Sequence, residues 1–443
     1  MRVCFITVNT FVHDSRTLRA ASALVADGHE VAVVAQQGEG LPAHETIAGG
    51  IRVVRPDVDR RISSAFAPGP ARLREPVRRA ISRAIALDPR ATALPPRGSG
   101  LAERIRAPLR RLAEILAYRR RINGWASAVV AAGPADIYSS KALVALPVAR
   151  AAAHRTGGRF VYDIADLHVE SGRLARAARP LKAYLSRREG RWMSEAAALT
   201  TATDALADEV VRRFWVDRPV VVMNCRPRWR SDEPGPPVSS RLRSTVLEVA
   251  PEVSPGSPIV LYQGAFREDQ GIEELLPALA LPPLRDVPLT VVFLGFGRME
   301  ARLRAAAAAS AGRIVVLPPV PSEDLLDWTA GADVAFVGAP PKTVNLRLTM
   351  PNKLFESLMA GVPVLVAAGT AVASLVEREG VGAVVSPWSS GTLAGALASM
   401  LSAPEAERVR LRARARTAAL DRYNAETEHI GLVKMYRQLT ADP

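Results

Sequence analysis

Residues 349–366 combine side chains that can bind an anion with a pattern that predicts a short helix before a buried strand. Pro351 suits the first turn of a helix, where its missing N–H has no partner to lose. Apolar residues then recur at helical spacing, and Gly361 stands where a helix commonly ends in a left-handed residue. The apolar run 362–367 is typical of a parallel strand that is covered on both faces.

The predicted helix places three polar residues where they suit a phosphorylated ligand. Asn352 and Lys353 stand at its N-terminus, where free N–H groups, the helix dipole and the lysine favour an anion, most commonly a phosphate. Glu356 follows one turn later and can accept hydrogen bonds from a pair of sugar hydroxyls. A joint of this kind also occurs in ordinary α/β sheets, in which case Glu356 is merely solvated.

Two glycine-containing loops follow predicted strands in the second half of the chain, and ligands of open α/β sheets bind at the carboxyl ends of strands. The loop 264–271 begins at Gly264 and contains Arg267, which can neutralise a phosphate. Gly295 and Gly297 end a second strand and let the backbone approach a ligand. A tight turn between strand and helix explains these last two glycines equally well.

A strand in the first half of the chain ends in a run of ionisable residues, 162–170. Asp166, His168 and Glu170 follow the strand within a few residues, and a histidine here can act as a general base or hydrogen-bond a sugar. In the alternative interpretation, Asp166 caps a helix and His168 is a surface residue.

Glu356, the short helical stretch after it and the run Gly-Val-Pro-Val at 361–364 resemble the C-terminal signature of family-4 glycosyltransferases, bacterial retaining enzymes among them. The resemblance implies the GT-B architecture, an α/β fold with two Rossmann-like parallel-sheet domains that face a central cleft. It also implies that Glu356 holds the ribose of a nucleoside-diphosphate sugar and that the helix N-terminus holds the diphosphate. The implied donor-binding set is Gly264, Arg267, Gly295, Gly297, Asn352, Lys353 and Glu356.

The run 162–170 is similar to the Tyr-Asp-x-x-Asp-Leu-x-x-Glu pattern of some bacterial members, which makes Asp166, His168 and Glu170 the candidate catalytic residues. The chain departs from the family elsewhere. Leu348 stands where many members carry an acid, and residues 139–142 read Ser-Ser-Lys-Ala where relatives carry His-x-His-Asp. Ala265 and Gln270 replace two basic residues of the donor loop, so Arg267 must substitute for them.

The alternation of strands and helices predicts two domains. Residues 1–225 are expected to form a Rossmann-like acceptor domain with an Arg-rich insertion at about 60–122, and residues 226–257 a linker with a short helix at 240–249. Residues 258–420 are expected to bind the nucleotide sugar, and residues 421–443 to form a helix that crosses back to the N-terminal domain. The predicted strands are 2–9, 30–35, 51–55, 136–140, 159–164, 198–203, 220–224, 259–264, 289–295, 314–318, 334–338, 362–367 and 383–385.

The composition is that of a globular protein with two domains: 443 residues, of which 48% are hydrophobic and 23% charged. No run of apolar residues is long enough to span a membrane, and the first residues read as a strand rather than a signal peptide. Cys4 and Cys225 support neither a disulfide framework nor a metal site, so a reducing cytoplasm is expected.

The formal net charge is +14, and much of the excess lies in the insertion. Two amphipathic helices are predicted there, at 76–86 and 101–121. The insertion is interpreted either as a solvated segment that packs on its own domain or as a surface that docks on an anionic membrane or acceptor. Nucleic acid is not an expected partner, because aromatic residues make up 5% of the chain and no base-stacking pattern accompanies the arginines.

The sequence therefore predicts a cytoplasmic, metal-independent glycosyltransferase, in part peripheral to the inner face of the membrane. It would transfer a sugar from a nucleoside diphosphate to a hydroxyl of a glycan, a lipid-linked acceptor or a small molecule, with retention of configuration and without a cofactor. Two alternatives stay open: a catalytically weak accessory subunit of the same fold, and a nucleotide-sugar epimerase.

Overall fold

A computed structural model of the chain describes residues 1–58, 101–172, 174–233, 235–338 and 340–441, with the side chains of 48, 101–115 and 441 left undescribed. The predicted helix 76–86 and most of the Arg-rich insertion lie outside these residues. Within them, the chain divides into two compact units, Met1–Tyr162 and Asp163–Pro443. No described helix is both long enough and apolar enough to cross a membrane.

The first unit is a parallel sheet with helices. Its strands follow the order β3-β4-β2-β1-β5-β6. β1 pairs in parallel with β2 and β5, and β2 with β4, whereas β3 and β4 are antiparallel. The strands are β1 (Arg2–Ile6), β2 (Glu30–Val34), β3 (His44–Ile47), β4 (Ile51–Val54), β5 (Ile137–Lys141) and β6 (Arg159–Ile164), the last of which ends in the second unit. The helices are Ser15–Ala26, Leu101–Ala131 and Leu146–Thr156.

Two details of this unit go beyond the sequence prediction. The antiparallel edge strand β3 was missed because it is short and polar, and its burial alternates between exposed and half-buried residues. The first helix is capped by Asp14, whose carboxylate accepts the N–H of Thr17 at 3.2 Å.

The second unit contains a six-stranded sheet in the order β11-β10-β9-β12-β13-β14, in which neighbouring strands are parallel. The strands of the unit are β7 (Ala198–Thr201), β8 (Val220–Val221), β9 (Ile259–Phe266), β10 (Thr290–Gly297), β11 (Ile314–Leu317), β12 (Val334–Gly338), β13 (Val364–Ala367) and β14 (Gly382–Val385). The helices are Arg179–Met193, Asp204–Phe214, Arg241–Val249, Ile272–Ala278, Glu300–Ala308, Leu325–Thr329, Val344–Leu348, Asn352–Met359, Ala371–Glu379, Ser390–Ser402, Glu405–Asp421 and Ala425–Ala441.

The apolar strands of this sheet are buried on both faces. Along β9, Ile259 and Leu261 belong to one hydrophobic cluster, whereas Val260 and Tyr262 belong to a second. Because helices cover both faces, the strand reads as a continuous apolar run instead of an alternating one. The predicted fold class, α/β with two parallel sheets, is confirmed.

The predicted domain boundaries stay a prediction. The short helix expected in the linker is present as Arg241–Val249. The final helix, Ala425–Ala441, contacts β8, and the carboxylate of Glu428 accepts the N–H of Met223 at 2.9 Å.

Candidate functional site

The helix Asn352–Met359 begins and ends as its sequence requires. Pro351 precedes it in an extended conformation (φ −76°, ψ 147°). Gly361 has a left-handed φ of 66°, and its N–H donates to the carbonyl of Leu358 at 2.9 Å. The apolar face of the helix packs into the core, so its N-terminus is held in a fixed place, and the N–H of Leu354 donates to the carbonyl of Pro351 at 3.1 Å.

Glu356 is buried, with 8% of its surface exposed, so the solvated interpretation of this residue is wrong. Its Oε2 accepts a hydrogen bond from Gln263 Nε2 at 2.7 Å. Gln263 is itself oriented by the hydroxyl of Thr329, which donates to its Oε1 at 2.8 Å. A chain of buried polar groups therefore fixes the direction of the carboxylate.

The second carboxylate oxygen faces a cation. Arg226 Nε lies 3.4 Å from Glu356 Oε1, and this buried nitrogen makes no hydrogen bond within the described chain. The rest of the guanidinium is anchored on Ser322, to whose hydroxyl and carbonyl it donates at 3.1 and 3.0 Å. Glu356 is therefore a paired, oriented anion that keeps lone pairs for a further donor.

Lys353 lies one turn before Glu356. Its Nζ is 4.0 Å from the centroid of the Tyr262 ring and donates to Gln270 Oε1 at 3.3 Å. Burial lowers the pKa of Lys353 to about 7, against the opposing charges of Glu356 and Asp269. An anion bound beside this ammonium would restore its charged form.

Arg267 forms an ion pair with Asp269. Its Nη2 and Nε donate to the two carboxylate oxygens of Asp269 at 2.5 and 3.0 Å. This hydrogen bonding raises the pKa of Arg267, and burial only partly offsets it. Arg267 remains half exposed, and a bidentate pair uses two of its five N–H groups, so three can still meet a phosphate.

The three glycines predicted to bind the donor divide into two kinds. Gly264 has φ 116°, and a Cβ there would meet no atom within 4 Å, so the backbone is open to a ligand. Gly295 and Gly297 have φ 152° and 153°, and a Cβ on either would overlap the backbone of β9, at Gly264 and Phe266. The structure therefore explains these two by the close pairing of β9 with β10.

Asn352 is exposed, and its Oδ1 accepts a hydrogen bond from Asn224 Nδ2 at 2.8 Å. The side chain thus joins the start of the helix to the segment that contains Arg226. Both the N-terminus of the helix and the carboxylate of Glu356 are therefore held from the same short stretch of chain, 224–226.

The loop after β6 is held against the helix Val344–Leu348. Asn345 Nδ2 donates to Asp166 Oδ1 at 2.8 Å, and Asn345 Oδ1 accepts the N–H of Leu167, also at 2.8 Å. His168 is half-buried, with Nδ1 3.3 Å from the carbonyl of Asp166. Burial lowers the pKa of His168 despite the opposing charge of Asp166, which favours the neutral imidazole that a general base requires.

Glu170 occupies a different environment from the other two. Lys182 Nζ lies 2.6 Å from Oε2, and Arg213 Nη1 lies 3.1 Å from Oε1. Burial raises the pKa of Glu170, but these hydrogen bonds and charges outweigh it and lower the pKa overall. The carboxylate ties the loop to the helices Arg179–Met193 and Asp204–Phe214.

Three residues of the site were missed by sequence reasoning: Gln263, Arg226 and Asn345. Gln263 carried a signal, since a polar residue at the end of a buried apolar strand needs a partner. Arg226 was assigned to the linker, and Asn345 lies on a helix, Val344–Leu348, too short for periodicity to reveal. In the described parts of the chain, no group of three His, Cys, Asp or Glu side chains is arranged to hold a metal ion.

One part of the chain matches a known protein family. Residues 257–403 match the family model of the glycosyl transferases group 1. They form a group 1 glycosyltransferase domain. No curated protein sequence matches the chain.

Solved structures show the fold of the chain around the group 1 domain. Sucrose-phosphate synthase from Thermosynechococcus elongatus aligns with a TM-score of 0.70 at 15% identity, over 100% of both chains. A trehalose-6-phosphate structure from E. coli, bound with UDP-2-fluoro glucose, aligns at 0.65 with 13% identity, over 100% of both chains. Anabaena HepE in complex with UDP and glucose aligns at 0.63 with 14% identity, over 99% of this chain and 100% of that one. The fold is that of the GT-B glycosyltransferases.

Replacement of Gly295 tests the packing role of this glycine within the group 1 domain. Gly295→Ala should lower the free energy of unfolding by about 2–4 kcal/mol, because the methyl group overlaps the backbone of Gly264 and forces the strands apart. Urea unfolding measures the change. Gly395→Ala, a helical glycine with open space around it, is the control and should be neutral or stabilise by about 0.5–1 kcal/mol. Equal effects of the two substitutions would contradict the packing explanation.

The pKa of Lys353 predicts that diphosphate binding takes up a proton. At pH 7.5 the free lysine is largely neutral, and a bound diphosphate raises its pKa, so up to about one proton should enter the complex. Affinity should then fall as the pH rises above 7. Calorimetry with a nucleoside diphosphate in buffers of different ionisation enthalpy measures the uptake. Lys353→Arg, which is charged throughout, is the control. Buffer-independent enthalpies for the unchanged protein would show that Lys353 stays neutral or takes no part.

Proposed function

We propose that the chain is a retaining, family-4-type glycosyltransferase that uses a nucleoside-diphosphate sugar as donor. The match of residues 257–403 to the group 1 glycosyltransferases supports glycosyl transfer. The solved structures that align with the chain include one bound with UDP-2-fluoro glucose and one with UDP and glucose, which supports a nucleotide-sugar donor.

One observation carries the proposal: the helix Asn352–Met359 presents a cation at its N-terminus and a fixed carboxylate one turn later. Lys353 and Glu356 lie on neighbouring positions of one helical face, about 5–6 Å apart at Cβ. A nucleoside diphosphate has the matching arrangement, an anion joined to a ribose with two hydroxyls. Lys353 and the helix N-terminus bind the diphosphate, and Glu356 accepts hydrogen bonds from the ribose.

The reaction needs charge stabilisation at the leaving group. The bond between the anomeric carbon and the diphosphate oxygen breaks, and the acceptor oxygen forms its bond on the same face of the sugar. The proton of the acceptor hydroxyl passes to an oxygen of the leaving diphosphate. Negative charge therefore builds on the diphosphate, where Lys353, Arg267 and the helix dipole stabilise it.

The remaining features of the proposal concern the acceptor. Asp166 and His168 are the proposed catalytic residues, placed where the transferred sugar meets the acceptor, and Glu170 supports their loop through its two ion pairs. The acceptor is a glycan, a lipid-linked molecule or a small molecule with a free hydroxyl. Contact with an anionic membrane through residues 60–122 and a metal-independent reaction complete the proposal.

Substitution of Glu356 tests the donor site. Glu356→Gln keeps the shape of the side chain and removes its charge, so donor affinity should fall at least about tenfold, since hydrogen bonds to charged groups contribute about 1.5–3 kcal/mol. The measurement is calorimetry with UDP-, GDP- and dTDP-sugars, selected by thermal shift. Glu248→Gln, an exposed glutamate of the same unit, is the matched control and should leave affinity unchanged.

Three outcomes would contradict the proposal in different ways. Unchanged affinity of Glu356→Gln would remove the ribose assignment. An unchanged protein that binds none of the donors would favour the accessory-subunit alternative. Interconversion of two nucleotide sugars without an acceptor product would show an epimerase.

A further inference from the structure

The helix Val344–Leu348 has no carboxylate at the position where the family resemblance leads one to expect one. Leu348 occupies the expected position, and its contribution to the site is a backbone carbonyl that accepts the hydroxyl of Thr203 at 2.6 Å. One turn earlier, Asn345 is 7% exposed and turned toward the loop after β6. The helix therefore supplies no acid of its own to a bound sugar.

Asn345 instead holds an acid that comes from another part of the chain. Its amide nitrogen donates to Asp166 Oδ1 and its amide oxygen accepts the N–H of Leu167, both at 2.8 Å. Two bonds from one planar group to adjacent points of the loop fix both the backbone and the carboxylate. Asp166 Oδ2 receives no hydrogen bond from any residue that the structure describes, so it keeps both lone pairs.

The same helix is joined to the donor-binding helix. The carbonyl of Asn345 accepts both the N–H and the hydroxyl of Thr349 at 3.0 Å, and Thr349 ends the short helix just before Pro351. Asp166 is thus connected to the helix of Lys353 and Glu356 by two hydrogen-bonded steps, through Asn345 and Thr349, and then by the short chain segment 349–351.

Asp166 also lies within electrostatic reach of the proposed diphosphate-binding loop. Its charge is among those that raise the pKa of Arg267. The sugar of a nucleotide sugar is bonded directly to the diphosphate. A carboxylate near the diphosphate site is therefore placed for hydroxyls of the sugar, which are donors that a charged acceptor binds strongly.

We propose that Asp166 binds a hydroxyl of the transferred sugar through Oδ2, and that Asn345 is the positioning residue that aims it. This inference rests on the proposed function, since it requires a nucleotide-sugar donor. It assigns sugar recognition to a carboxylate from the loop after β6, in place of the acid that Leu348 does not provide.

The experiment compares a nucleoside diphosphate with its sugar conjugate. Calorimetry is run with UDP and UDP-glucose, and with GDP and GDP-mannose, on the full chain. Asp166→Asn retains an amide that can pair with Asn345 but removes the charge. Its affinity for the sugar conjugate should fall about tenfold, while its affinity for the diphosphate should not fall, because a negative charge near Arg267 has been removed. Asp217→Asn, an exposed aspartate, is the matched control and should change neither affinity.

Exchanging the side chains of Asp166 and Asn345 distinguishes a role in sugar recognition from a role in structural stability. Asn345→Asp places two carboxylates side by side and should lower the urea midpoint and the affinity for the sugar conjugate together. The double variant Asp166→Asn with Asn345→Asp re-forms the hydrogen bond with the charge on the other residue. It should recover the urea midpoint but not the affinity for the sugar conjugate.

The outcomes that overturn the inference are distinct from those that overturn the proposed function. The inference is wrong if the double variant recovers both stability and affinity for the sugar conjugate. It is also wrong if Asp166→Asn lowers the affinity for the diphosphate as much as that for its sugar conjugate. Either result would show that the contact of Asn345 with Asp166 is only structural. If the unchanged protein binds none of the four ligands, the proposed function fails and the inference fails with it.

Discussion

The site depends on one buried charge, the carboxylate of Glu356. Removing a carboxylate from water costs several kcal/mol unless partners replace the water, and an unpaired one would take up a proton instead. Gln263 at 2.7 Å and Arg226 at 3.4 Å are those partners, and they come from β9 and from the segment after β8. The fold must therefore bring separate parts of the chain together before Glu356, on the helix Asn352–Met359, can be buried as a charged residue. The same requirement makes the carboxylate rigid, which a ribose-binding group needs.

Two basic side chains, Lys353 and Arg267, lie near the N-terminus of the helix Asn352–Met359 and are available to an anionic ligand. Lys353 is near neutrality at physiological pH because burial lowers its pKa to about 7, and Arg267 is shared with Asp269. Lys353 meets an amide and an aromatic ring rather than a carboxylate, whereas Arg267 already forms a bidentate pair with Asp269. In the proposed function, a diphosphate would add negative charge beside both side chains.

The parts of the structure that were predicted from sequence are those that short stretches determine. Pro351, the apolar spacing and Gly361 specify the donor helix, and the continuous apolar runs specify strands covered on both faces. The partners of Glu356 and Asp166 were not predicted, because Gln263, Arg226 and Asn345 are distant in sequence from the groups they hold. The roles of Gly295 and Gly297 were also open, because loop flexibility and strand packing both select glycine. Only the position of the neighbouring backbone of β9 separates these explanations.

The fold of the chain is shared with solved structures at only 13–15% identity. The helix-to-strand joint needs a specific local sequence, whereas its supports need only a hydrogen-bond donor or a cation that reaches the right point. Many residue types on many segments can meet the second requirement, so a sequence pattern alone does not reveal the supporting residues. Leu348 and Asn345 illustrate the consequence. The helix Val344–Leu348 lacks an acid at Leu348, but its Asn345 amide holds the carboxylate of Asp166. The sequence pattern shows that the acid is missing at Leu348, and it does not show that Asp166 is held nearby.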